Sequence, residues 1–249
     1  MFTDDQYLNS MVSRPYPTQA PIVQGSTPVP AFGVFKESRI ATLGINPSDQ
    51  EFLDKNGVLL QASSRRFETL QSLGAKECSD LSETQVQRVL DSCSNYFKTG
   101  NDYRKWFKPL DEILMRAFGV SYYADTACHL DLVQWATLPK WSSLPKEIQR
   151  LLLDEGVPYL RTLLQQHHIS HVVVNGNSVW QGLKRSNLLN FDDVGVVYFG
   201  AKNTSCKLRV GFIGNIQFLG WSSNIQSGYG SNERVFCEHL ADWLKETAT

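Results

Sequence analysis

Arg39-Ile-Ala-Thr-Leu-Gly-Ile-Asn-Pro-Ser48 decides the fold. Residues 39–44 form a short buried strand, because an almost unbroken apolar run is how strands covered on both faces are written. The chain then turns at Ile45-Asn46-Pro47-Ser48, where Pro47 pushes Asn46 out of the helical region. The strand therefore ends with an Asn side chain presented in a loop.

Outward from this stretch, strand and helix patterns alternate. Residues 14–33 are rich in Pro, Gly, Ser and Thr, so 1–33 reads as an extended N-terminal arm rather than a packed element. Ser82 with Gln85 three residues later has capping-box spacing and opens a helix to about Lys98. Tyr103 to Phe118 is a second helix, closed by Gly119. Ser121 to Leu132 carries a strand and its exit loop. Leu144–Glu155 and Pro158–His168 read as two helices split by Gly156-Val157.

His171 to Val174 is another buried strand, broken by Asn175-Gly176-Asn177 ahead of a helix from Ser178 to Lys184. Asp193–Phe199 and Ser205–Ile213 pair as a hairpin. Ile216–Leu219 is the last strand, followed by a polar loop from Gly220 to Gly230 and an amphipathic helix from Asn232 to Lys245. The alternation predicts one α/β domain over 1–249, a three-layer αβα sandwich with a mostly parallel central sheet. In such sheets ligands bind beyond the carboxyl ends of the strands, here the loops after residues 43, 124, 174 and 219.

Composition narrows the classes. The chain has 249 residues, of which 42% are hydrophobic, enough for one sizeable core. No apolar run reaches the roughly 18 residues a membrane span needs. The acidic, polar start MFTDDQYLNSMVSRPYP is unlike a signal peptide, which points to the cytoplasm. Cys78, Cys93, Cys128, Cys206 and Cys237 are scattered and form no CxxC pair, so neither a disulfide framework nor a metal cluster is expected. His167, His168 and His171 read as imidazoles at a helix end rather than metal ligands. The net charge of −1 gives no support to a nucleic-acid partner by itself. Basic residues do gather at Arg65-Arg66, Lys98–Lys108, Lys184-Arg185 and Lys202–Arg209, as one positive face or as separate solvated ones. The P-loop, the GxGxxG fingerprint and the GxSxG elbow are absent.

Leu43-Gly44-Ile45-Asn46-Pro47-Ser48 resembles the first motif of the uracil-DNA glycosylase superfamily, in its Asn-containing mismatch-specific and single-strand-selective branches. These carry Gly-(Ile/Met)-Asn-Pro after the first strand. The later loops follow in the family's order: Ala124–Leu132, Asn175-Gly176-Asn177 and Gly220–Ile225, so the resemblance spans roughly residues 30–245.

The resemblance implies a monofunctional DNA glycosylase that flips out an aberrant or modified pyrimidine and hydrolyses its N-glycosidic bond. It implies DNA as the partner, no cofactor, no metal and a monomer. Asn46 then orients the attacking water, since an amide is no base but its carbonyl holds a water in place. Backbone N–H groups between Gly44 and Ser48 donate to the departing base, with Gly44 and Ile45 lining its site. Phe52 is the stacking aromatic, with Phe32 and Phe67 behind it. Asn175 completes the base site. Ser48 and either Ser222 or Ser223 contact phosphate, and Asn224, Ile225 and Gln226 sit where the family inserts a wedge, Ile225 being the apolar one.

Two loops depart from the family. The fourth has no His for the leaving base. The second offers Asp125 and Thr126 where uracil-selective relatives present an Asn amide. A carboxylate accepts from an exocyclic amine, so Asp125 points to a cytosine derivative; the plainer reading has it capping a turn. Repair of uracil-type lesions, removal of hypermodified bases from phage DNA, and a non-catalytic DNA-binding module are the competing readings.

Overall fold

A computed structural model describes residues 4–199, 204–227 and 233–248. The chain is α/β, with seven α-helices and a six-stranded mixed sheet among the described residues. It divides into two compact units, Met1–Val34 with Ile45–Asp102 and Leu130–Gln166, and Phe35–Gly44 with Tyr103–His129 and His167–Thr249.

The sheet uses β1 (Ile40–Gly44), β2 (Ala127–Asp131), β3 (His171–Asn175), β4 (Phe191–Phe199), β5 (Thr204–Ile213) and β6 (Ile216–Trp221), in the order β2-β1-β3-β6-β5-β4. β1, β3 and β6 run parallel, with Leu43 beside Val174 and Val174 beside Gly220. β1 is buried at every position and β3 at all but its first, which is why their sequences carry no polar alternation. β6, β5 and β4 are antiparallel, and the expected hairpin is β4 paired with β5 from Phe191–Gly211 to Phe199–Thr204. Its connecting residues, 200–203, lie outside the described residues.

The second unit also holds α4 (Arg104–Phe118), α6 (Asn177–Arg185) and α7 (Glu233–Thr247). Gly119 closes α4 in the left-handed conformation, as its position after the last apolar residue predicts. β6 runs two residues further than the sequence suggests, because Gly220 and Trp221 continue the pairing with β3 and β5. A Cβ on Gly220 would lie 2.0 Å from the Val174 carbonyl oxygen. Only glycine lets the strands approach this closely.

The first unit contains α1 (Asp4–Val12), α2 (Leu70–Leu73), α3 (Glu83–Ser94) and α5 (Lys146–Gln166). Ser82 and Gln85 form the expected reciprocal capping box of α3. Two features differ from the sequence reading. The N-terminal segment is not an extended arm. Its start is α1, Met11, Val12, Val29 and Ala31 are fully buried, and Val23 and Val29 donate backbone hydrogen bonds to Ala136 and Gln134. Its prolines rule out a regular ladder, yet the residues between them still pair.

The two helices predicted around Gly156-Val157 are also one, α5. Pro158 has no N–H for the Asp154 carbonyl, and both residues are exposed on the helix surface. Gly156 is retained inside this helix because a Cβ there would sit 2.7 Å from the Leu132 oxygen and 2.9 Å from Val133 Cα. α5 therefore lies directly against the segment that leaves β2.

Gly220→Ala is expected to destabilise the fold by about 3 kcal/mol, since the β3–β6 ladder must separate to admit a methyl group. Urea denaturation checks this, and an unchanged midpoint would contradict the close approach.

Candidate functional site

Asn46 leaves β1 in the turn the sequence predicts. Its Nδ2 donates to the Pro47 carbonyl at 3.1 Å, the Trp135 carbonyl at 3.1 Å and Thr137 Oγ1 at 3.2 Å. Carbonyl oxygens only accept, so these partners settle which end of the amide is nitrogen. Oδ1 has no protein donor among the described residues. Asn46 is half-buried, so the structure holds one acceptor in a fixed direction with its lone pairs unspent.

The anchoring segment is itself anchored. Val133 donates its backbone N–H to the Ile45 carbonyl at 3.0 Å. Gln134 Nε2 donates to the Asp131 carbonyl at 3.0 Å, and its Oε1 accepts from Arg14 at 3.2 Å. Trp135 is fully buried, its indole N–H donates to Glu155, and Arg14 lies over its ring while pairing with Glu155 at 2.7 Å. Ser48, predicted to touch phosphate, caps the following 3-10 turn, Asp49–Glu51, by accepting from the Gln50 N–H.

Sequence reading misses Glu51. It is 3% exposed, accepts from the Tyr96 hydroxyl at 2.8 Å and lies 3.4 Å from the Arg66 guanidinium. Burial pushes its carboxyl up to about 7, against the opposing pull of Arg66 and the Tyr96 hydroxyl. A Glu three positions past a polar turn reads as solvated; only the Phe52 beside it hints that the chain dips inward.

Phe52 is not a stacking platform. It is 1% exposed and stacks on Phe67 at 5.5 Å; Phe67 stacks on Tyr96 at 5.0 Å, and Phe32 meets both edge-on. All three aromatics nominated for the base are thus core.

Asp125 and Thr126 are also misplaced by the sequence reading. They lie in the turn that leads into β2, after a short 3-10 turn at Tyr122–Ala124, and not in the loop that leaves it. Asp125 takes the left-handed cap with φ of 57°, and the Thr126 hydroxyl accepts from the Ser121 N–H at 2.8 Å. The polar run 124–126 reads as a strand exit only when the strand is started too early. The true exit is Leu132–Thr137, the segment that binds Asn46, and the carboxylate at the end of β2 is Asp131, which is buried.

In the second unit Asn175 is consumed by structure rather than left for a base. Its Oδ1 accepts from Trp221 Nε1 at 2.9 Å and from the Ile225 N–H at 3.2 Å, and its Nδ2 donates to Gln226 Oε1 at 2.7 Å. Gln226 Nε2 in turn donates to the Trp106 carbonyl at 2.8 Å. Ile225 is 0% exposed, so the apolar residue nominated as a wedge is packed inward. Ser222 Oγ accepts from the Lys207 N–H at 2.9 Å. Ser223 is half-buried, and Asn224 is exposed, its Oδ1 accepting from the Gln226 N–H.

Among the described residues no group of three or more His, Cys, Asp or Glu side chains is placed to hold a metal ion, and no helix is long and apolar enough to cross a membrane. No protein-family model matches the chain, and no curated protein matches it.

Asn175→Ala leaves the buried Trp221 indole and the Ile225 amide without their acceptor. A loss of about 2–5 kcal/mol in denaturation is expected. Wild-type stability would show that the loop is held by other contacts.

Proposed function

We propose that this protein is a DNA glycosylase that hydrolyses the N-glycosidic bond of a modified pyrimidine turned out of the DNA stack. One observation carries this reading. Asn46, in a Gly-Ile-Asn-Pro turn after the first strand, has its amide nitrogen tied down by three acceptors and its oxygen kept unspent. The α/β architecture and the parallel β1–β3–β6 centre agree with the three-layer sandwich of uracil-DNA glycosylases.

The chemistry needs no strong base. The bond from C1′ to the base nitrogen breaks with its electron pair going to the base, and positive charge builds on the sugar. A water held by Asn46 Oδ1 then bonds to C1′ and releases its proton to solvent. The amide supplies orientation, an effect that falls away with small displacements. Backbone N–H groups of Ile45, Asn46 and Ser48 stabilise the departing base.

Asn46→Ala is expected to reduce base release at least about a hundredfold while oligonucleotide affinity changes little. Release measured as alkali-labile sites in uracil- and 5-hydroxymethylcytosine-containing oligonucleotides tests it. Release within a few-fold of wild type would sink the assignment.

A further inference from the structure

The turn that follows the Asn46 loop is gripped from two other segments. Arg66, ahead of α2, donates to the Gln50 carbonyl at 2.8 Å and the Asn101 carbonyl at 2.7 Å, and lies 3.4 Å from Glu51 Oε2. Tyr96, in the 3-10 turn after α3, donates its hydroxyl to the same Oε2 at 2.8 Å. Ser48 caps the turn from its other end. Asn46 is thus fixed from one side by Trp135 and Thr137, and from the other by the Asp49–Glu51 turn.

A carboxylate is a poor choice for stability in this place. Glu51 is buried beside Tyr96, a member of the Phe32–Phe67–Tyr96 ring cluster, where an apolar side chain would pack without desolvating a charge. Replacing buried ion pairs with apolar residues is often neutral or stabilising. What the carboxylate offers is a directed contact with two donors on separate segments.

We propose, building on the glycosylase reading, that Glu51 is a positioning residue for Asn46: held between Tyr96 and Arg66, its carboxylate fixes the Asp49–Glu51 turn and thereby the direction of the Asn46 amide oxygen. It touches no substrate and acts through the loop.

The charged and titratable groups facing Glu51 are Arg66, Tyr96 and Asp131. Burial, with a smaller contribution from Asp131, carries its carboxyl to about 7, so the residue changes charge near neutrality. The ionised form is the one Arg66 holds by charge. As pH rises through about 7 the grip tightens and base release accelerates. Fold stability moves the other way. A carboxyl whose folded value exceeds its unfolded one contributes stability at low pH that is lost as pH rises through the folded value.

The test follows the Asn46 side-chain NH2 resonances and single-turnover base release against pH, using the uracil and 5-hydroxymethylcytosine oligonucleotides. In wild type the resonances shift with a midpoint near pH 7, and release rises roughly tenfold across it. Glu51→Gln flattens both curves and lowers the high-pH rate roughly tenfold, with oligonucleotide affinity retained. Tyr96→Phe, which keeps the ring and removes one donor, slows release in the same direction and carries the test if Glu51→Gln does not fold. Resonances that stay still in wild type, or a Glu51→Gln profile equal to wild type, overturn the proposal. A wild type that releases no base overturns the glycosylase reading instead, while the resonances still report on the clasp.

Discussion

The amide nitrogen of Asn46 faces the carbonyl of Trp135, and contacts from several segments of the first unit hold that pair. A buried or half-buried amide must find partners for its N–H groups, and here they come from a segment some ninety residues away in sequence. That segment stays in place because the Trp135 indole is clamped by Arg14 and Glu155, because Gln134 bonds back to Asp131, and because residues 21–29 run along it. Gly156 removes the one side chain that would push α5 away from Leu132 and Val133. Each contact contributes modestly; together they leave the Asn46 oxygen with one direction to point.

The second unit uses the same side chain for the opposite purpose. Asn175 is the last residue of a parallel strand, before a glycine, but every hydrogen-bonding atom of its amide is engaged, and it joins the end of β3 to Trp221 and the Ile225 loop. The difference between a structural and a chemically available asparagine lies in the unspent oxygen. Both are asparagines at the carboxyl-end side of a parallel strand, Asn175 within β3 and Asn46 two residues beyond β1.

This contrast explains what the sequence revealed and what it concealed. The strands, the Ser82 capping box, the Gly119 stop and the turn at Asn46 are written locally, in periodicity and in Gly and Pro placement, and they were legible. Asp125, Ile225 and Phe52 were misjudged because long-range packing decides whether a polar run precedes or follows a strand, and whether an apolar residue in a polar loop faces inward. Glu51 escaped notice for the same reason, since both of its donors are distant in sequence. The basic clusters are a parallel case. Arg65 pairs with Glu68, Arg66 with Glu51, and Lys207 and Arg209 with Asp193, so the described basic residues of two clusters that look like free positive surface are tied to carboxylates.

The balance of charge around the Asn46 loop follows from these pairings. A glycosylase that relies on a dissociating bond gains from negative charge near a sugar that turns positive, yet an ionised carboxylate beside the leaving base would oppose the charge collecting there. An amide at position 46 avoids the conflict, because it is polar, neutral and unable to take a proton. The Glu51 carboxylate stands one turn further on, where its two donors satisfy it, and in the proposed glycosylase its charge would act only through the geometry it enforces. Orientation and charge are thereby assigned to different residues. That separation is open to an amide whose nitrogen is fully anchored, and it would be lost if the anchors at Trp135 or Thr137 were free to move.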